Sequence, residues 1–189
     1  MNQTATGRVE IYARTARVLH WLTVLLVAVQ LPIGFYMAYR GGTLNVWDGL
    51  TNALYSGHKV GGVVILLLVL WRLAYRMSRG APADEPTLAP MQRIVSHLNH
   101  WGLYLLLVAV PVAGYIGISL FPALDIYGFK LPGVVAPDQA AAKSVFEIHR
   151  LLALALVALI AMHVAAALFH HLVRKDNVLA RMLPSLLRR

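Results

Sequence analysis

The chain has 189 residues and contains no cysteine. Without thiols it can form no disulfide, no iron–sulfur cluster and no thiolate metal site, and it lacks the attachment chemistry of c-type heme. Charged residues are also scarce, at 13% of the sequence, whereas a soluble domain usually carries about a quarter. Because the charges are excluded from long apolar blocks, we expect one integral membrane domain over residues 1–189.

Acidic residues are few, with 8 Asp and Glu against 17 Lys and Arg, which gives a formal net charge of +9. In a soluble protein this excess would indicate binding to nucleic acid. In a membrane protein the Lys/Arg bias of the cytoplasmic segments accounts for it. We therefore expect the lipid bilayer as a partner and no nucleic acid.

Four apolar blocks are long enough to cross a bilayer, since a helical span needs about 20 residues. Backbone groups in lipid must pair within their own segment, which at these lengths means helices. The blocks cover about residues 18–39, 55–75, 98–121 and 146–173. The sequence thus predicts an all-α fold, an integral membrane four-helix bundle.

Basic residues divide unevenly between the two sides that these spans define. With the N-terminus inside, the inner side carries twelve Lys and Arg residues, namely Arg8, Arg14, Arg17, Arg72, Arg76, Arg79, Arg93, Arg174, Lys175, Arg181, Arg188 and Arg189. The outer side carries five, namely Arg40, Lys59, Lys130, Lys143 and Arg150. Because cytoplasmic segments are enriched in Lys and Arg, this division predicts that both termini are cytoplasmic.

The most informative residues are two histidines, His149 and His163, which lie 14 positions apart in the last apolar block. Fourteen residues come within about 40° of a whole number of helical turns, so both rings share one helix face, roughly 21 Å apart. A bilayer core is about 30 Å thick, so one imidazole lies near each membrane surface. Ionisable groups within a membrane indicate function by default, and this spacing favours two hemes held inside the bundle.

A six-coordinate b-type heme needs two imidazoles from helices that face each other. On the outer side only His58 and His149 are available, so we assign them as a pair by elimination. On the inner side His163 needs a partner. His20 on the first helix is the preferred candidate, and His100 on the third helix is the alternative.

Basic residues near these histidines are candidates for binding anions. Arg17 and Arg72 are candidates for the heme propionates, with snorkelling at the membrane boundary as the alternative. On the outer side Lys59, Arg150 and Lys143 are candidates for a mouth that attracts a small anionic electron donor.

Quinone reduction requires groups that hydrogen-bond a carbonyl and supply protons. His97, His100 and His170 on the inner side are candidates because histidine titrates near neutral pH; headgroup contact or support of a heme ligand is the alternative. Gly61 and Gly62 follow His58 by about one turn and permit close approach of either a macrocycle or a neighbouring helix.

Several motifs occur together in a specific order. They are Arg17-Val-Leu-His-Trp21, His58-Lys-Val-Gly-Gly62, His97-Leu-Asn-His-Trp101, and the run from His149 through His163 to His170-His171. On these motifs the chain resembles the bacterial cytochrome b561 family of four-helix, di-heme membrane proteins. The resemblance implies that His20, His58, His149 and His163 bind the heme iron and that the protein lies in the bacterial inner membrane.

One member of that family is a superoxide oxidase that delivers electrons to ubiquinone. The resemblance therefore implies an oxidoreductase with two heme b groups, which passes electrons from superoxide or another external donor to ubiquinone. Two alternatives remain: a heme-bearing anchor subunit that links a separate dehydrogenase or hydrogenase to the quinone pool, and a non-redox metal transporter. Short loops disfavour the anchor, and the absence of a clear inverted repeat or interrupted helix disfavours the transporter.

Overall fold

The computed structural model describes residues 10–186 of the chain. Arg8, Arg188 and Arg189, which contribute to the predicted charge bias, lie outside these residues. The described elements are α1 (Arg14–Ala38), α2 (Gly49–Arg79), α3 (Pro90–Leu120), β1 (Asp125–Ile126), β2 (Phe129–Lys130) and α4 (Gln139–Phe169). π-Helical turns at Tyr39–Thr43 and His170–Arg174 extend α1 and α4, and a short 3-10 helix covers Pro184–Leu186.

The prediction of an all-α membrane bundle is confirmed: the four helices are long and apolar enough to cross a membrane. Each helix begins before its predicted apolar block; α4, for example, begins at Gln139 and not near residue 146. At α4 a polar cap accounts for this difference, because Asp138 accepts hydrogen bonds from the backbone N–H groups of Ala140 and Ala141. Hydropathy marks only the apolar part of a helix and misses such polar first turns.

Consecutive helices run antiparallel and pack in the order α1 on α2, α2 on α3 and α3 on α4. We call the two ends of the bundle the terminal end (residues 10–13, 80–89 and 175–186) and the loop end (residues 44–48 and 121–138). At the terminal end Tyr12 donates a backbone hydrogen bond to Arg181, whose guanidinium donates to the carbonyl of Ala83. These bonds join all three segments of that end.

The core is a small apolar cluster at mid-height in the bundle. It consists of buried residues from all four helices, namely Val27, Ile65, Val69, Leu107 and Leu156. The outer surface of the helices is apolar as well: Leu67 is 62% exposed and Leu105 is 69% exposed. Exposed apolar area on this scale needs a nonpolar environment, and for these long helices that environment is the lipid bilayer.

The start of α2 is stabilised by a polar cluster at the loop end. Asp48 accepts a hydrogen bond from the backbone N–H of Thr51, and its second carboxylate oxygen lies 2.5 Å from the Arg40 guanidinium. Arg40 also donates to the Thr51 hydroxyl. The hydrogen bonds from Thr51, together with that from Arg40, lower the pKa of Asp48 to about 2.

We expect Asp48→Ala to lower the thermal midpoint of unfolding, and Asp48→Asn to lower it less because an amide oxygen still accepts the Thr51 N–H. Folding lowers the Asp48 pKa from about 3.9, so the stabilisation from the charge is complete above that pH and is lost as the pH falls through about 2. When thermal unfolding is measured at a series of pH values, the difference in thermal midpoint between the wild type and Asp48→Asn should narrow below about pH 4. A constant difference would contradict this assignment.

Candidate functional site

Two layers of residues cross the bundle, and each layer takes one residue from each of the four helices. The loop-end layer consists of Gly34, His58, Gly114 and His149, and the terminal-end layer consists of His20, Arg72, His100 and His163. On every helix the two members are 14 residues apart, which corresponds to roughly 21 Å along the axis. The apolar core separates the two layers, since Val27, Ile65, Leu107 and Leu156 lie midway on their helices.

The loop-end layer brings His58 of α2 and His149 of α4 together. Their ring centres lie 6.2 Å apart with an interplanar angle of 87°. The Nδ1 atom of His149 lies 2.9 Å from the carbonyl oxygen of Val110, and because a carbonyl only accepts, Nδ1 carries the proton. The lone pair of His149 is then on Nε2. The Nδ1 atom of His58 is buried and has no hydrogen-bond partner within the described residues.

Glycines on the neighbouring helices leave space for both of these rings. A Cβ atom at Gly34 would lie 2.8 Å from Cε1 of His58, and a Cβ atom at Gly114 would lie 3.1 Å from Cε1 of His149. Any side chain at either position would therefore press on an imidazole. The two glycines allow α1 and α3 to approach the rings from the side.

The terminal-end layer places both candidate partners next to His163. The ring centres of His20 and His163 lie 6.2 Å apart, and those of His100 and His163 lie 5.1 Å apart. The His100 Nδ1–H group donates to the carbonyl of Ser96 at 2.6 Å. The guanidinium of Arg72 lies 3.0 Å from Nδ1 of His20, and because arginine only donates, this nitrogen of His20 accepts.

A cavity of about 990 Å³ opens at the terminal-end layer. Its lining includes His20, Arg72, His100 and His163, together with apolar side chains of α1, α3 and α4. Asn99 also lines the cavity, is buried, and has a side-chain oxygen without a hydrogen-bond partner in the described chain.

The observed spacings fit an iron ion held between two imidazoles. Two metal–nitrogen bonds of about 2 Å each, added to the radii of both rings, place the ring centres about 6 Å apart. His58 with His149 and His20 with His163 both match at 6.2 Å. His100 and His163 are closer, at 5.1 Å, so this pair fits less well. The residues present therefore fit two six-coordinate heme groups.

The three histidines predicted for quinone lie in different environments. His100 and His170 line the cavity, whereas His97 is not part of its lining and pairs with Asp84 at 3.1 Å on the surface. His170 is buried, and its Nδ1 lies 2.6 Å from the buried carboxylate of Asp176.

The two arginines predicted for the propionates also separate. Arg72 lines the cavity, and its guanidinium lies over the ring of Tyr104 at 5.1 Å. Arg17 lines a different feature, a groove on the outside of the bundle beside Arg14 and Trp21. The structure thus brings Arg72, and not Arg17, to the histidines.

The predicted outer cations all lie near the loop end, but two of them have partners. Lys59 donates to the carbonyl of Asp125 at 3.0 Å, and Arg150 forms an exposed ion pair with Glu147. Lys143 is exposed near the start of α4. The carboxylate of Glu147 therefore offsets the charge of Arg150, whereas the bond to a neutral carbonyl leaves the charge of Lys59 in place.

Three polar residues near the terminal-end histidines were not predicted as part of the site, namely Asn99, Asp176 and Arg181. Asn99 had a detectable signal, because it is an amide next to His100 in a largely apolar stretch. Asp176 and Arg181 had none, since both lie in a short polar tail. Arg181 is nevertheless buried and donates to the carbonyl of Glu10 at 2.7 Å, so it closes the terminal end beneath the cavity.

A membrane bundle with facing imidazole pairs near both ends is typical of membrane b-type cytochromes. The sequence profile of the family described as "Prokaryotic cytochrome b561" matches residues 11–185. The chain belongs to this family, and it is therefore a membrane electron-transfer protein of the oxidoreductase class for which the family implies b-type heme.

Relatives cover nearly the whole chain. "Cytochrome b561 homolog 2" of Escherichia coli (strain K12) is 31% identical over 180 residues, which is 94% of each chain. "Probable superoxide oxidase CybB" of Yersinia pestis is 29% identical over 170 residues, or 88% of this chain and 92% of the relative. "Cytochrome b562" of Cereibacter sphaeroides is 30% identical over 175 residues, or 91% of this chain and 94% of the relative.

Proposed function

We propose that this protein is a di-heme b-type cytochrome that carries electrons across the membrane. His58 and His149 bind one heme iron at the loop end, and His20 and His163 bind the other at the terminal end. The observation that carries this proposal is that both pairs have the same ring separation, 6.2 Å, in layers 14 residues apart. Membership of a cytochrome family leaves the metal-transporter alternative without support.

Heme b held by two histidines supplies a one-electron couple and has no open coordination position for oxygen. The chain orients the imidazoles for this role. The bond from His149 Nδ1–H to the Val110 carbonyl keeps the lone pair on Nε2, as iron-bound histidine requires, and makes the ring a stronger electron donor.

Arg72 has a distinct role at the terminal end. An imidazole that binds iron through Nε2 carries its proton on Nδ1 and has no acceptor left for the Arg72 guanidinium. Arg72 then needs another acceptor, and a heme propionate has the right charge and geometry for a guanidinium. The 3.0 Å contact between Arg72 and His20 supports this role, because it shows that the guanidinium lies beside the proposed ligand.

The electron donor in this proposal is superoxide or another small donor outside the membrane, and the acceptor is ubiquinone. Two superoxide anions each lose one electron and become dioxygen, while one ubiquinone takes up two electrons and two protons. The name of the Yersinia pestis relative, "Probable superoxide oxidase CybB", supports superoxide as the donor. Lys59, Lys143 and Arg150 at the loop end favour the approach of an anion.

The acceptor site in this proposal is the part of the terminal-end cavity that a heme between His20 and His163 would leave open. His100, His170 and Asn99 line it and offer hydrogen-bonding groups. We propose that this end faces the cytoplasm of a bacterium and that the protein lies in the inner membrane. Twelve basic residues are predicted on the inner side, and nine of them are among the described residues. All nine lie at or towards the terminal end.

The purified protein in liposomes is expected to reduce ubiquinone when superoxide is generated outside, and raised ionic strength is expected to slow the reaction because the donor is an anion. Quinol formation is measured with and without superoxide dismutase, which removes the donor. A reduced-minus-oxidised spectrum without heme bands would overturn the whole proposal. Normal heme bands without quinol formation would instead favour the anchor subunit, which requires a separate dehydrogenase or hydrogenase.

A further inference from the structure

Gln30 is a polar side chain of α1 that lies between the two layers. Its Nε2 donates to the backbone carbonyl of His58 on α2 at 2.5 Å. That carbonyl belongs to the interior of a helix, so the bond from Gln30 is additional to the helical hydrogen-bond pattern. An amide in an apolar span is costly unless it forms such a bond, so Gln30 joins α1 to α2 at a specific residue.

The sequence of α2 accommodates this amide. A Cβ atom at Gly61 would collide with Oε1 of Gln30 and lie 3.0 Å from its Cδ, whereas a Cβ atom at Gly62 would lie 4.0 Å from Nε2. The sequence left open whether Gly61 makes room for a macrocycle or for a neighbouring helix. In the structure the space beside Gly61 is filled by a side chain of α1.

Among the described residues, Nδ1 of His58 has no hydrogen bond like the one that orients the ring of His149. The ring of His149 is oriented by its own hydrogen bond to Val110, whereas Nδ1 of His58 has no partner within residues 10–186. The ring of His58 instead lies against Gly34, one turn along α1 from Gln30. One face of α1 therefore contacts His58 twice, at its backbone through Gln30 and at its ring through Gly34.

We propose that Gln30 is a positioning residue for the loop-end heme: it sets the height and rotation of His58 relative to α1. This inference rests on the proposed function, in which His58 binds iron. Gln30 acts through the backbone of His58 and does not itself bind the iron. Loss of its hydrogen bond therefore alters the ligation of one heme and leaves the other unchanged.

The experiment compares three variants in the full-length holoprotein. Gln30→Met keeps the length of the side chain but removes the donor. Gly61→Ala displaces the amide, and Gly62→Ala is the matched control, because it adds the same methyl group one position away without a close contact to Gln30. Heme per chain, a two-step redox titration and electron paramagnetic resonance spectra of the oxidised protein are measured for each.

We expect Gln30→Met and Gly61→Ala to shift the midpoint potential of the loop-end heme and the low-spin resonance spectrum of that heme. We expect Gly62→Ala to match the wild type in both. A tenfold change in the relative affinity for ferric and ferrous heme appears as a shift of about 59 mV. The midpoint that disappears in His149→Ala identifies the loop-end heme. The terminal-end midpoint is expected to stay unchanged and reports that the bundle is folded.

The double variant Gln30→Ala with Gly61→Ala is expected to shift the loop-end midpoint potential no further than Gln30→Ala alone. Removal of the Gln30 amide relieves its collision with the new Cβ atom at position 61. Unchanged loop-end signals in Gln30→Met, or equal changes at both hemes, would overturn the inference. If His58→Ala instead retains both hemes, the proposed function itself fails, and that result is distinct from either outcome for Gln30.

Discussion

Replacement of His149 by alanine is expected to reduce the heme content of the purified protein from two to one per chain. His149 faces His58 at 6.2 Å, and no other histidine of the described residues lies in the loop-end layer. Loss of one imidazole leaves the iron with a single protein ligand, and no neighbouring side chain can replace it because Gly34 and Gly114 occupy the adjacent positions. His58→Ala is expected to have the same effect for the same reason.

Heme is quantified per chain, and the midpoints are resolved by redox titration. One midpoint should disappear in His149→Ala and the other should remain within the error of the wild type, because the apolar core separates the layers. His97→Ala is the matched control, since this histidine lies on the surface and pairs with Asp84. Two hemes in His149→Ala, or complete loss of heme with the bundle still folded, would disprove the loop-end assignment.

The second large effect distinguishes the two candidate partners of His163. His20→Ala is expected to lose the terminal-end heme, whereas His100→Ala is expected to retain two hemes per chain. The reason is geometric: the ring of His20 lies at the separation that an intervening iron requires, and the ring of His100 lies about 1 Å closer, against the side of His163.

His100 contacts the side of the His163 ring, and its Nδ1–H group donates to the carbonyl of Ser96. Its removal changes the surroundings of His163 and leaves the imidazole of His20 in place. We expect His100→Ala to shift the terminal-end midpoint while the absorbance bands of both hemes persist. Retention of two hemes by His20→Ala together with loss of one by His100→Ala would reverse the assignment.

Much of the fold follows from the sequence because the bilayer imposes simple constraints. Apolar length predicts the four helices, and the shared face of His149 and His163 follows from helical periodicity alone. Hydropathy could not predict the polar first turns, such as the cap that Asp48 forms on α2. These turns depend on local hydrogen bonds and not on partition into lipid.

The environment of each polar residue depended on helix packing. Arg17 and Arg72 were equivalent propionate candidates in sequence, yet only Arg72 lines the cavity. His97 and His100 are three residues apart, but one pairs with Asp84 on the surface while the other contacts His163. A histidine or arginine near a helix end has the same sequence signature whether it faces lipid, solvent or a neighbouring helix.

The sequence by itself determined the number of helices, their apolar character and the 14-residue spacing on α4, because these properties are local to each helix. Only the tertiary structure decided that the same spacing recurs as two layers on all four helices, that glycines face the loop-end imidazoles, and that Gln30 bonds to the backbone of His58. These features depend on the relative rotation and height of packed helices. That relation is set by side-chain contacts between distant parts of the chain, which a single helical period does not encode.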